Sequence, residues 1–587
     1  MTDSGKTSGT GAAVDYVSLH YLAETAEWRT DRYYRYAEMT DLVHGWVDAH
    51  PQIATLGSIG QTGEGREIWV VTITNRATGP DTEKPAYYVD ANIHAGEVTG
   101  SSVALATIHH LLTRYGADEK ITRLIDETTV YVIPRIMIDA SEVYLTTADR
   151  MRSSIRTWPD RSDEIVDGIR VSDVDGDGVI AYMRVKDPDG PWKASAKDDR
   201  VMVARGPDET GGDYYFVHPE GTIDNWDGGA VRVAPPEWGL DLNRNMPRDW
   251  KPEWTQKGAG PYPLSEPETR AVADFILGHP NIHGSQHYHT QSRVILRASA
   301  LRPDDELPEA DLEAYKAIGK MGEEETGYKC VSIYHDFAYD KKKPIYGSFQ
   351  DWMFDYVGVF SFATELWSLP MEAGCDVTDF IKWPKERTED DDLKMLHLID
   401  RQAGGRGFSP WRAFDHPQLG PVELGGWDFK FGVQNPQGPF LEGEINRNVP
   451  FTIRAMGTAP QLRFVDSGAE QLGDGVYRVW AVVGNSGFLP TYGSETARAT
   501  GQPRPVKVTL DLPAGAKVGS ASGRVEQEIG HLAGRSSQHA AFAQRSEYPN
   551  LSRKLVEWTV AAPAGTELPL TAATPRAGTV RATVTLG

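Results

Sequence analysis

Tyr87-Tyr88-Val89-Asp90-Ala91-Asn92-Ile93-His94-Ala95-Gly96-Glu97 is an apolar run that turns a corner. Residues 87–93 read as a strand, and 98–115, with its helix-like apolar spacing, reads as the helix that follows. A histidine and a glutamate three residues apart in such a corner can reach one ion. They offer a neutral nitrogen and a carboxylate oxygen, a ligand set that Zn2+ accepts at catalytic sites. Two ligands do not hold a catalytic zinc. Taken alone, His94 could be an ordinary part-buried histidine and Glu97 an acid placed for the helix dipole.

Outward from this corner the same alternation continues. Tyr34, Met39, Leu42, Val43 and Val47 keep helical spacing over 33–49, and Pro51 ends the run. The β-branched stretch 66–74 follows the turn Gly63-Glu64-Gly65, and 128–138 is apolar almost throughout, as a strand covered on both faces would be. Helices are expected at 268–277, 311–326, 348–356 and 393–402, and strands ending near His289, at 294–296 and at 357–366. Strands alternating with helices predict an α/β fold, a mixed sheet flanked by helices. Between 157 and 236 the periodicity fails and Asp, Gly and Pro accumulate, which predicts an inserted, lid-like excursion. After Gly404-Gly405-Arg406-Gly407, short alternating runs such as 476–483, 506–510, 555–560 and 580–584 are separated by turn residues. These predict a C-terminal all-β sandwich, accessory in role. The expected division is a disordered leader at 1–14, a catalytic domain at 15–415 containing the insertion, and the sandwich at 420–587.

The 587 residues exceed a single core. A net charge of -23 argues against nucleic acid or an anionic membrane as partner, since both would repel the chain at long range. No apolar run approaches the eighteen residues of a membrane span. The Gly/Ser/Thr-rich start lacks a secretory h-region, which predicts the cytoplasm, although accessory β domains often accompany exported enzymes. Cys330 and Cys375 are too few for a disulfide framework.

A third ligand has two sources, His287 and His289, which face one side of a strand and are not separated by spacing. Glu365 stands in an otherwise apolar strand, where a buried carboxylate requires a cation or a function. Asn243-Arg244-Asn245 offers a guanidinium beside amides, a grip suited to a carboxylate. Asp173-x-Asp175-x-Asp177-Gly178 has the spacing of a Ca2+ loop, but Arg184 fills the twelfth position, where an EF-hand has Glu.

Residues 30–405 resemble the zinc metallocarboxypeptidases, the carboxypeptidase A and T-like peptidases. The resemblance rests on His94-Ala95-Gly96-Glu97, on Gly239 to Asn245, on His289-Thr290-Gln291-Ser292 before Val294-Ile295-Leu296, and on Phe362-Ala363-Thr364-Glu365-Leu366. It implies one Zn2+ held by His94, Glu97 and His289, with a water activated by Glu365. It implies that Asn243 and Arg244 bind the free C-terminus of a peptide substrate. The carbonyl-polarising arginine corresponds to Arg152, with Arg150 as the other choice, and the mobile tyrosine to Tyr346 or Tyr339. Gln350, before the Asp351-Trp352 pair, corresponds to the residue that tunes the side-chain pocket. The expected function is removal of C-terminal residues from peptides. The alternatives are an amidohydrolase on the same scaffold, acting on a cell-wall peptide or an N-acyl amino acid, and a non-catalytic binding protein.

Overall fold

The computed structural model describes residues 21–159, 167–224, 226–338, 343–537 and 551–587. The leader expected at 1–14 lies outside them. The core elements in chain order are α1 (Tyr36–Ala49), β1 (Ala54–Gln61), β2 (Glu67–Ile73), β3 (Ala86–Ala91), α2 (Thr99–Arg114), α3 (Glu119–Glu127), β4 (Thr129–Ile133) and α4 (Ile138–Thr146). They continue with α5 (Pro267–Gly278), β5 (Ile282–Thr290), β6 (Val294–Arg297), α6 (Glu309–Thr326), β7 (Lys329–Ser332), β8 (Phe360–Leu366), α7 (Glu389–Gln402) and α8 (Gly438–Met456).

The strands form one sheet in the order β1-β2-β4-β3-β5-β8-β6-β7. Its centre, β4-β3-β5-β8, is parallel, and the β1-β2, β2-β4 and β8-β6 pairs are antiparallel. The mixed sheet is covered on both sides, which explains why β3, β4 and β5 are buried at every position. On one face α2, α8 and α6 lie side by side. On the other, Phe275 of α5 packs on Tyr88 and Tyr131. The corner after β3 therefore opens at the C-terminal edge of the parallel strands, the usual place for a ligand in an open α/β sheet.

The expected excursion at 157–236 contains strands. Residues 182–186, 192–194, 202–204 and 215–219 join 408–416 and 420–427 in a six-stranded antiparallel sheet. The sandwich expected from residue 420 consequently begins later. Strand 420–427 pairs with 182–186, and α8 buries Leu441, Ile445, Val449 and Phe451 in the core of the large sheet. The C-terminal unit starts at Leu462, with a three-stranded sheet (462–473, 476–485, 553–561) against a four-stranded one (507–511, 524–528, 567–574, 578–585). Val479, Val508, Leu510, Val556, Trp558 and Leu570 fill the space between them. No helix among the described residues is long and apolar enough to cross a membrane.

Candidate active site

The corner that carries His94 and Glu97 is fixed by its backbone. Asn92 has φ 58°, a left-handed conformation that Asn tolerates better than most residues. Its side chain donates to the carbonyls of His94 and Ala95 and accepts from the N–H and hydroxyl of Ser101. Gly96 has no room for a side chain. A Cβ there would stand 2.8 Å from the Tyr144 ring, 2.9 Å from the Met151 carbonyl and 3.0 Å from Gln434 Oε1. Asn92 and these three neighbours thus leave the chain one path through the corner.

His94 Nδ1 faces Glu97 Oε1 at 2.9 Å, and His289 Nδ1 lies 3.1 Å from both Glu97 Oε2 and His94 Nδ1. The ligand atoms of the three residues fall within 4.8 Å of one another, and all three residues are buried. His94 Nε2 pairs with Asp241 Oδ1 at 3.1 Å, an arrangement that turns its Nδ1 lone pair toward the centre. The backbone N–H of Thr290 donates to Glu97 Oε2 and fixes that carboxylate. A lone pair facing a carboxylate needs positive charge between them, either protons on the imidazoles or a metal ion. Burial and Arg152 push His94 down, but Glu97 and Asp241 more than reverse this and leave it above its ordinary value. Burial alone would raise the Glu97 carboxyl, yet His94 and His289 bring it well below the usual carboxylate range. Two nitrogens and a carboxylate oxygen converging on one point fit Zn2+.

A cavity of about 350 Å³ opens over these groups. Glu365 lines it from β8, where it is in parallel register with His289. Burial pushes its carboxyl up to about 8, Glu97 adds to the push, and His289 and Arg152 oppose it. Arg152 reaches in with a side chain that is 46% exposed, donating to Glu97 Oε1 at 3.2 Å and to Asp241 Oδ2 at 3.0 Å. Arg150 turns elsewhere, to the Ile180 carbonyl and the Phe429 ring. Asp241 organises this wall, because it also caps the turn 242–244 through the N–H of Asn243. Burial would raise it, but Arg152, Arg244 and His94 hold it well below the usual range.

Asn243 and Arg244 line the same cavity. The N–H of Phe349 donates to Asn243 Oδ1 at 2.8 Å, which leaves the amide NH2 as the end available to a ligand. Gly347, at φ 65°, lets its loop run against the Arg244 carbonyl, where a Cβ would come within 2.3 Å. Gln350 lines the cavity, as do Leu296, Ala300, Ile333 and Ala363, and its buried Nε2 has no hydrogen-bond partner among the described residues. Tyr346 is not among the lining residues. Its N–H donates to Gln256 and its ring lies below Lys251, while Ile345 and Ser348 form the wall. Tyr339 lies outside the described residues. His287 shares a face with His289 but sits deeper, between Asp90 and Ser285 and against Phe349, away from the cavity.

The match with known proteins follows the same residues. A model described as zinc carboxypeptidase fits residues 39–372, which include every residue of the cluster and its clamp. The chain belongs to the zinc carboxypeptidase family. A second model, of a domain of unknown function, fits 461–585, in line with a C-terminal unit that begins at Leu462. Carboxypeptidase D of Anas platyrhynchos is 30% identical over 122 residues, which is 21% of this chain and 9% of that protein. Carboxypeptidase A2 of Rattus norvegicus is 24% identical over 340 residues, 56% of this chain and 60% of that protein. The chain thus spans a small part of the first relative and three-fifths of the second. Among solved structures, carboxypeptidase A from Helicoverpa armigera shares 14% identity with a TM-score of 0.41, covering 66% of this chain and 79% of that one.

The acidic loop of the insertion has a cation of its own. Asp173, Asp175 and Asp177 bring ligand atoms within 4.8 Å, but Arg412 from strand 408–416 places its guanidinium on Asp175 and Asp177. Arg412 answers part of the loop's charge, Asp173 accepts the N–H groups of Gly176 and Gly178, and the expected Ca2+ is not assigned. Glu220 lies beside it, 1% exposed, accepting the N–H groups of Val174 and Ala181. Burial first, then Asp175 and Asp173, push its carboxyl up to about 7. A raised carboxyl leaves the fold unpenalised below the unfolded value of about 4.3 and costs stability as pH climbs from there to 7. Glu220→Gln cannot ionise. Its stability relative to the parent should therefore improve between pH 5 and pH 8 by on the order of 1–3 kcal/mol. Melting curves at the two pH values check this, and an equal difference at both would refute the attribution.

Proposed function

We propose that the chain removes C-terminal residues from peptides by hydrolysis, with Zn2+ held by His94 Nδ1, Glu97 and His289 Nδ1. The observation that carries this reading is the presence of Asn243 and Arg244 in the same cavity as the ligand cluster and Glu365. Zn2+ supplies Lewis acidity there, polarising a carbonyl and making water a stronger acid.

The chain's own groups divide the remaining work. Arg244 pairs with the substrate's terminal carboxylate, and the Asn243 amide donates to it, so an end is recognised and an internal segment is not. The C-terminal side chain then points along the apolar wall toward Gln350. Arg152, already at the mouth of the centre, donates to the oxygen of the scissile carbonyl as negative charge develops, a contribution of about 3–4 kcal/mol per donor. Glu365 takes a proton from the attacking water and passes it to the leaving amine.

A pocket of apolar walls ending in one unpaired amide N–H favours a neutral C-terminal side chain that carries an acceptor. Digestion of a peptide library followed by mass spectrometry should show C-terminal Gln or Asn preferred over Leu of similar size. Gln350→Leu should move that ratio about tenfold toward Leu, the worth of one hydrogen bond near 1.4 kcal/mol. An unchanged ratio would remove Gln350 from the specificity pocket.

A further inference from the structure

We propose that residues 428–437, which lie between the two matched regions, are a working part of the metal centre, with Asn435 as the positioning residue of its ligand corner. The proposal rests on the reading of His94, Glu97 and His289 as a zinc site.

Helix α2 begins immediately after Glu97 without a cap of its own, since Val98 at the N-cap offers no side-chain acceptor. Two asparagines from elsewhere supply what is missing. Asn92 takes the N–H of Ser101, and Asn435 takes the N–H of Thr99 at 3.2 Å and its hydroxyl at 2.8 Å. The other end of the Asn435 amide donates to the Gly96 carbonyl at 2.8 Å, to Tyr144 Oη at 3.0 Å and to the Lys430 carbonyl at 3.1 Å. Asn435 therefore holds the chain on both sides of Glu97, at Gly96 and at Thr99. It is fully buried, and its acceptor and donor ends are both committed, so the amide has one orientation.

The segment is itself anchored. Asp428 accepts the N–H groups of Lys430 and Phe431. Phe431 packs its ring against Tyr21, Tyr33 and Tyr144. Tyr33 Oη donates to the Pro436 carbonyl at 2.5 Å, and Tyr144 Oη donates to Gln434 Oε1 at 2.9 Å. On its other side, Phe429 and Gln434 line the cavity. The same ten residues thus back the ligand corner and wall the site. Ligands must be held to within about 0.5 Å, and the partners that orient them typically contribute 10–100-fold in metal affinity.

The test uses the full chain and measures metal binding directly. Asn435→Ala should weaken zinc affinity about 10–100-fold in competition with a chromophoric chelator. It should also shrink the rise in Tm on adding zinc. Tyr144→Phe removes only the hydroxyl between Asn435 and Gln434 and should weaken zinc affinity by about threefold to tenfold. A purely structural role would lower the Tm of the metal-free and zinc-loaded forms equally and leave affinity within twofold, which would overturn the proposal. If Asn435→Ala does not fold, Tyr144→Phe decides by the same two readouts. Failure of the parent to bind zinc at all would instead overturn the underlying reading of the cluster.

Discussion

Glu365→Gln should lower kcat about 10³-fold while the protein still binds one zinc per chain. Glu365 stands in register with His289 at the end of β8, and the electrostatic influences on it are all through space, from Glu97, His289 and Arg152. Gln keeps the shape of the side chain, so the cavity and the three ligands remain as they are. What disappears is the ability to accept a proton, and general-base catalysis is worth about 10²–10⁴-fold. Metal analysis alongside steady-state kinetics separates the two effects. Turnover within tenfold of the parent would remove Glu365 from the reaction, and loss of zinc would make it part of the metal site.

The second large effect concerns which end of a substrate is read. Amidation of a peptide's C-terminus should cost the parent about 10²-fold or more in kcat/KM, because Arg244 then faces a neutral group and a charge-assisted pair is lost. In Arg244→Gln the free acid and the amide should be cleaved at nearly equal, low rates. The crossed comparison matters more than either rate. A parent that cleaves the amide as readily as the acid is no carboxypeptidase, and an amidohydrolase on this scaffold would then be the better description.

Much of the site was legible because its chemistry is local. His94 and Glu97 are three residues apart, Asn243 and Arg244 are adjacent, and Glu365 is conspicuous in an apolar strand. The choice between His287 and His289 was not legible from spacing, since alternation places both on one face. Depth along the strand decides it, and depth depends on where β3 and β8 end. Asn435 carries no signal in the sequence, because its partner Gly96 is 339 positions away.

The sandwich boundary was misplaced for a physical reason as well. α8 carries Pro450 and buries Glu444 and Asn448 on its core face, which breaks the apolar period that marks a helix. Glu444 is paired only in the folded chain, with Arg293 and the N–H of Trp367. Strand 182–186 likewise finds its neighbour in 420–427, a pairing across more than two hundred residues that no local pattern announces.

That distant closure of the fold sets the order in which activity can arise during synthesis. A ribosome delivers His94, His289 and Glu365 well before residue 435, so a growing chain holds every proposed reacting group while the start of α2 still has an open N–H at Thr99. The corner is finished only when the segment that follows strand 420–427 has emerged and docked. If Asn435 positions the corner as proposed, full zinc affinity is reached only after that segment has docked.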